Sequence, residues 1–271
     1  MFKFITLFQI LLTLCLNLAQ ANVQTEGFEL DQLEAKSIKD QGPINRQTSG
    51  RNKSRQIRHR YYQLSFNFQH GQAEWVSHTL NYDPEQFVHD RTNDFREDPV
   101  LKGKSPSKQD YEASGFDRGH LAPSQDFAFS ERAVSESFYY SNMSPQDSYF
   151  NQFGLWKNLE EKIRRWSFVK STRFFIFSGP VLTADLKKLK PGSEVSVPKK
   201  FYKVILAQTA NGKYEAIGFI MPNLRILRDS MLYAVSVDTV EKLTGLDFYS
   251  HLPDAVESAT EKSFAPSFWK K

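Results

Sequence analysis

The chain has 271 residues, a net charge of +4 and 14% aromatic residues, enough length and apolar material for one domain held by its own core. Its single cysteine, Cys15, excludes a disulfide framework, and a basic excess this small does not by itself establish a polyanionic partner. Past the N-terminal stretch, no apolar run is long enough to span a bilayer.

Lys3, the apolar run from Phe4 to Leu18 and the small-x-small triplet Ala19-Gln20-Ala21 predict a secretory signal peptide over residues 1–21, and with it a periplasmic or secreted protein. A short membrane anchor is the alternative. Residues 22–58 are polar, broken by Gly and Pro, and lack periodicity, which predicts a flexible basic lead-in. Arg46, Arg51, Lys53, Arg55, Arg58 and Arg60 fall in one acid-free stretch. That stretch reads either as an electrostatic arm for a polyanion or as a solvated linker. The folded domain is expected over residues 59–265.

Within it, Tyr61 to Phe68 and Glu74 to Leu80 predict two strands joined by a turn at Gly71. Arg173 to Phe177, Tyr202 to Ala207 and Glu215 to Met221 are short apolar runs with the pattern of buried strands, the last two joined across Asn211-Gly212. Trp156, Leu159, Ile163 and Trp166 recur at helical spacing, and Asp238 to Leu243, ending at Gly245, predicts a short capped helix. The fold class is α+β, a central, mainly antiparallel sheet flanked by helices.

Asp117-Arg118-Gly119-His120, followed by Asn142-Met143-Ser144-Pro145-Gln146, carries the chemistry. An imidazole is largely neutral near pH 7 and can take a proton from water, which makes His120 a candidate general base. Arg118 offers a charged fork suited to phosphate, and Gly119 lets the backbone pass close to another group.

These blocks, together with Phe150-Asn151-Gln152, Trp156-Lys157-Asn158-Leu159-Glu160, Phe95-Arg96-Glu97-Asp98-Pro99, Phe201-Tyr202-Lys203-Val204 and Gly218-Phe219-Ile220-Met221-Pro222-Asn223, lie in one order along the chain. From about Tyr62 to Leu252 the sequence resembles the DNA/RNA non-specific endonuclease family, the endonuclease G-like nucleases with a ββα-metal active site. The resemblance implies that His120 is the base and Asn151 the direct ligand of Mg²⁺, for which Mn²⁺ is a substitute. It places Arg96 near the scissile phosphate and Glu160 behind a water of the ion. Arg96 reads alternatively as the partner of Glu97 or Asp98. Asp117, Arg118 and Asn142 receive supporting roles: fixing loop geometry, touching phosphate and organising the loop beside the base.

The spacing departs from the family in one place. Trp156 follows Asn151 by five residues and Glu160 follows it by nine, each one more than the usual separation. On an unbroken helix, nine positions place Asn151 and Glu160 on opposite sides. The extra residue therefore belongs either to a non-helical turn at Phe153-Gly154 or to a π-bulge. The implied activity is hydrolysis of DNA and RNA alike, independent of sequence, through phosphate contacts and leaving 5′-phosphate ends. A homodimer and a protein inhibitor stay open. The rival readings are a nucleic-acid-binding protein without catalysis and a phosphodiesterase for small molecules.

Overall fold

In the computed structural model, which describes residues 44–45, 54–209 and 211–270, the apolar runs pair into a seven-stranded sheet that is antiparallel throughout. In chain order the elements are β1 (Ile44–Asn45), β2 (Ser54–Arg58), β3 (Tyr62–Asn67), β4 (Gln72–Leu80), α1 (Lys108–Tyr111), β5 (Asp117–His120), α2 (Glu131–Glu136), β6 (Met143–Gln146), α3 (Ser148–Gln152) and α4 (Leu155–Lys170). Then follow β7 (Phe174–Pro180), β8 (Lys200–Gln208), β9 (Tyr214–Pro222), β10 (Ala234–Val235), α5 (Val237–Thr244), β11 (Leu246–Asp247) and α6 (Asp254–Glu261). The large sheet runs β10-β9-β8-β7-β4-β3-β2, with separate two-stranded pairs β5-β6 and β1-β11. Among the described residues, no helix is long and apolar enough to cross a membrane.

Alternation along β8 assigns the two faces of the sheet. Phe201 stacks on Phe150 and Trp156, with ring centroids 5.7 and 5.5 Å away, so α3 and α4 cover one face. Its neighbour Tyr202 points the other way, onto Phe248, which also meets Phe177. The apolar stripe of α4, Trp156, Leu159, Ile163 and Trp166, is buried along its whole length.

Several boundaries differ from the sequence reading. Ser54–Arg58, expected to close a flexible lead-in, is an edge strand paired with β3, because Ile57 is buried while its neighbours stay polar. The stretch 1–21 read as a signal peptide lies outside the described residues, as do Arg46, Arg51 and Lys53 of the basic run. At the other end, Trp269 is 1% exposed and packs edge-on against Trp166, so the packed chain runs beyond residue 265. The cap of α5 is Ser236, not Asp238: its hydroxyl accepts the Thr239 N–H, and Gly245 ends the helix at φ 73°.

Candidate active site

Strands β5 and β6 form an antiparallel hairpin-like pair in which His120 stands opposite Met143 and Gly119 opposite Ser144. Gly119 is required there: a Cβ would enter the side chain of Gln146, which is fully buried. The chain then passes directly into α3 and α4, giving strand, strand, helix around one cleft of about 770 Å³ lined by Asp117, Arg118, His120, Asn151 and Glu160.

The extra residue sits in the non-helical break. Helix α3 ends at Gln152, Phe153 and Gly154 leave the helical path, and α4 begins at Leu155. The break resets the phase, so Asn151 and Glu160 both reach the cleft despite their nine-residue separation. Gly154 makes this turn because a Cβ would lie 2.8 Å from the Tyr149 carbonyl oxygen and 3.1 Å from Phe150 Cα, both backbone atoms. Gly154→Ala is expected to cost about 1–3 kcal/mol, the usual range for overpacking. Urea unfolding checks this, and a wild-type midpoint in the variant contradicts the assignment.

His120 is 7% exposed, with its ring edge-on to Phe138 at 4.7 Å and its Nε2 buried without a hydrogen-bond partner. Burial drives its pKa well below the ordinary imidazole value, and the Arg91 and Arg118 guanidinium groups push it the same way. The ring is thus a neutral base across the physiological range. Its backbone is clamped on both sides. Trp156 Nε1 donates to the His120 carbonyl at 3.0 Å. The fully buried Asn142 accepts from Ala122 N–H at 3.0 Å and donates to the Ala122 and Ser137 carbonyls.

Asp117 acts on Asn151. Its Oδ2 accepts from Asn151 Nδ2 at 2.9 Å and from Gln152 Nε2 at 2.6 Å, while Oδ1 accepts from Ser148 Oγ at 2.8 Å. With Nδ2 so engaged, the amide oxygen of Asn151 is the end available to a ligand. Glu160 is half-buried, and its Oε1 is buried without a partner. Burial raises its pKa to about 7, against the pull of Lys203, Arg164 and Arg91 and with Asp126 adding to the rise. An orphaned carboxylate and an oriented amide oxygen on one cleft are a donor set that suits a hard divalent cation, and these two residues would hold it.

The raised value has a sign. A carboxyl whose folded pKa lies above its unfolded value stabilises the fold fully below about pH 4.3, and that contribution is lost as pH rises through about 7. Glu160→Gln is therefore expected to raise the melting temperature over wild type at pH 8 in chelator and to lower activity. At pH 4 the stabilities should converge. Thermal melts at both pH values check this, and a variant less stable at pH 8 contradicts it.

Of the residues expected at the site, Arg96 is not among those lining the cleft. Its Nη1 pairs with Asp94 Oδ2 at 2.6 Å and donates to the Ser135 carbonyl, Nη2 donates to Ser135 Oγ, and the guanidinium lies over Tyr139 at 4.3 Å. The expected alternatives, Glu97 and Asp98, are not its partners here: Asp98 instead accepts from Ser141 Oγ and pairs with His59. Sequence reasoning passed over Arg91. Arg91 lines the cleft, lies over Phe138 at 4.9 Å, and joins Arg118, stacked on Phe95 at 3.9 Å. Its one sequence signal was a cation in the polar loop ahead of Phe95.

Behind the cleft lies a second unanticipated group. Lys203, 1% exposed in β8, donates to Ser178 Oγ at 2.8 Å and sits over the Trp156 indole at 4.3 Å. Arg164 pairs with Asp126 at 2.8 Å, and Asp126 in turn with His78 at 2.9 Å. These charges face Glu160 and hold part of its field.

A family model for the DNA/RNA non-specific endonucleases matches residues 40–255. The chain is 34% identical over 207 residues to mitochondrial endonuclease G of Caenorhabditis elegans, covering 70% of this chain and 66% of that protein. It is 33% identical to nuclease C1 of Cunninghamella echinulata, covering 70% of this chain and 81% of the relative, and 33% identical to human mitochondrial endonuclease G, covering 66% and 64%. It thus spans just under two thirds of the length of the two endonuclease G relatives. Among solved structures it resembles a chain in the crystal structure of the EndoG/EndoGI complex, with TM-score 0.68, 28% identity, and 82% and 93% of the two chains covered. These matches overturn the expectation of an exported, periplasmic or secreted protein, since the relatives include mitochondrial nucleases of worm, human and yeast.

Proposed function

The chain belongs to the DNA/RNA non-specific endonuclease family, nucleases that hydrolyse phosphodiester bonds, and on that premise we propose that it cuts DNA and RNA internally, without regard to sugar or sequence, in the cleft around His120 and Asn151. The observation that carries this reading is the convergence of a buried neutral imidazole, an oriented amide oxygen and an orphaned carboxylate on one cleft.

His120 takes a proton from the attacking water as its oxygen forms a bond to phosphorus, and the phosphorus–O3′ bond breaks with its electron pair going to O3′, which takes a proton from solvent water, leaving a 5′-phosphate and a 3′-hydroxyl. Asn151, with Glu160 lining the same cleft, would hold Mg²⁺, which when bound would supply neutralisation of the charge that develops in the transition state. Asp117 keeps the amide oxygen of Asn151 presented. Arg91 and Arg118 take the non-bridging oxygens, and both are braced on aromatic rings rather than free to swing. Asn142 and Trp156 hold the His120 backbone in register. No step needs a 2′-hydroxyl, so the same apparatus cuts RNA and DNA.

Cleavage of plasmid DNA and of structured RNA at rising NaCl tests the substrate class. A polyanion held through several phosphates is expected to lose apparent affinity steeply as salt rises. A salt-insensitive KM together with turnover of a small phosphodiester identifies a small-substrate enzyme and contradicts the reading. Binding without cutting in either Mg²⁺ or Mn²⁺ contradicts the catalytic claim.

A further inference from the structure

Helix α5 places Asp238 and Glu241 three residues apart on one face, and α6 ends at Glu261 against them. One carboxylate oxygen from each lies within 4.8 Å of the others. Acidic residues gather on many surfaces without consequence, but two of these three are buried: Glu241 is 9% exposed and Glu261 3%. Glu261 Oε1 is buried without any hydrogen-bond partner, and a carboxylate oxygen of this residue belongs to the cluster. A buried carboxylate oxygen with nothing to bond is costly, and a second and third carboxylate beside it raise the cost. Asp247 and Glu257 add to the same negative field, and burial with these neighbours raises the Glu261 pKa to about 9.

We propose that Asp238, Glu241 and Glu261 form a divalent-cation site of the calcium type, separate from the nuclease cleft, that locks α6 onto α5. Ligands that share one Ca²⁺ with bonds of about 2.4 Å lie no further apart than about 4.8 Å, a limit the three oxygens meet. The groups are all hard oxygens, with no His or Cys to favour zinc. The site is half prepared by backbone: the Phe248 N–H donates to Glu241 Oε1 at 2.7 Å and fixes that carboxylate. Its surroundings form their own hollow, rimmed by Lys242 and Lys262, which shares no lining residue with the cleft of His120. Asp238, at the more open side, is the entry ligand, and water completes the coordination.

Full-length protein stripped with chelator is titrated with CaCl₂ and followed by thermal unfolding and calorimetry, as wild type, Glu261→Gln, Asp238→Asn and Asn151→Ala. The melting temperature of wild type is expected to rise by about 2 to 6 °C at about 2 mM Ca²⁺, for a site of roughly 0.1–1 mM affinity. The rise should persist in Asn151→Ala, vanish in Glu261→Gln and fall by at least half in Asp238→Asn. The proposal is overturned if wild type shows no shift, if the shift survives in both Glu261→Gln and Asp238→Asn, or if Asn151→Ala abolishes it and so places the ion in the cleft. Should Glu261→Gln fail to fold, Asp238→Asn at the open edge decides alone.

Discussion

Replacing His120 by alanine is expected to lower kcat for plasmid cleavage by about 10²- to 10⁴-fold, the range for loss of a positioned general base, with KM little changed. On the proposed mechanism the phosphate is held by Arg91 and Arg118, which line the cleft and which the substitution does not touch, so binding should survive. Burial and the two guanidinium groups that depress the His120 pKa also set the acid side of the pH profile. Because the folded pKa lies well below 6.5, the wild-type base stays unprotonated as pH falls through 6, and kcat/KM should hold there. An acid limb centred at the ordinary imidazole value contradicts the buried-base assignment. The same depression means the ring's contribution to stability is present above about 6.5 and lost as pH falls below it.

The second large effect belongs to the amide. Asn151→Ala is expected to lower kcat by about 10²-fold or more and to raise the Mg²⁺ concentration giving half-maximal rate. Asp117→Asn should act in the same direction but less, about 10-fold, because it removes the charge that orients the amide and not the ligand itself. Magnesium titrations of the three proteins check this ordering. An Asn151→Ala enzyme with an unchanged magnesium requirement would remove that residue from the metal site.

What could be read in the chain beforehand follows physical lines. The buried strands were legible because their apolar runs end at Gly, Pro and Asn; β8 and β9 extend the predicted stretches by one or two residues at either end, while β7 starts one residue later than predicted and runs three further. The break at Phe153-Gly154 was one of the two alternatives, beside a π-bulge, that the family resemblance and the nine-residue separation left open, since two groups that face one cleft cannot stand nine positions apart on an unbroken helix. Arg96 was misjudged because its partner, Asp94, lies two residues away in an irregular loop, where no periodicity tells which carboxylate a guanidinium meets. Arg91 and Lys203 were invisible for opposite reasons: one is an unremarked cation in a polar loop, the other a charge inside a strand whose pattern reads as core. The misread N-terminus has a similar origin. A basic, apolar stretch with no acid before Glu26 is common to secretory and organellar leaders, and composition does not separate them.

On the proposed mechanism, one cleft joins a buried His120 base to a cation held at Asn151. Single-turnover cleavage of supercoiled plasmid and of structured RNA tests it most directly, using wild type and His120→Ala, with Mg²⁺ or EDTA, and with imidazole added to the variant. The account predicts magnesium-dependent cutting of both substrates by wild type, its loss in the variant, and partial recovery of both activities with imidazole, still only when Mg²⁺ is present. Wild-type rates in His120→Ala, or full activity in EDTA, would contradict it.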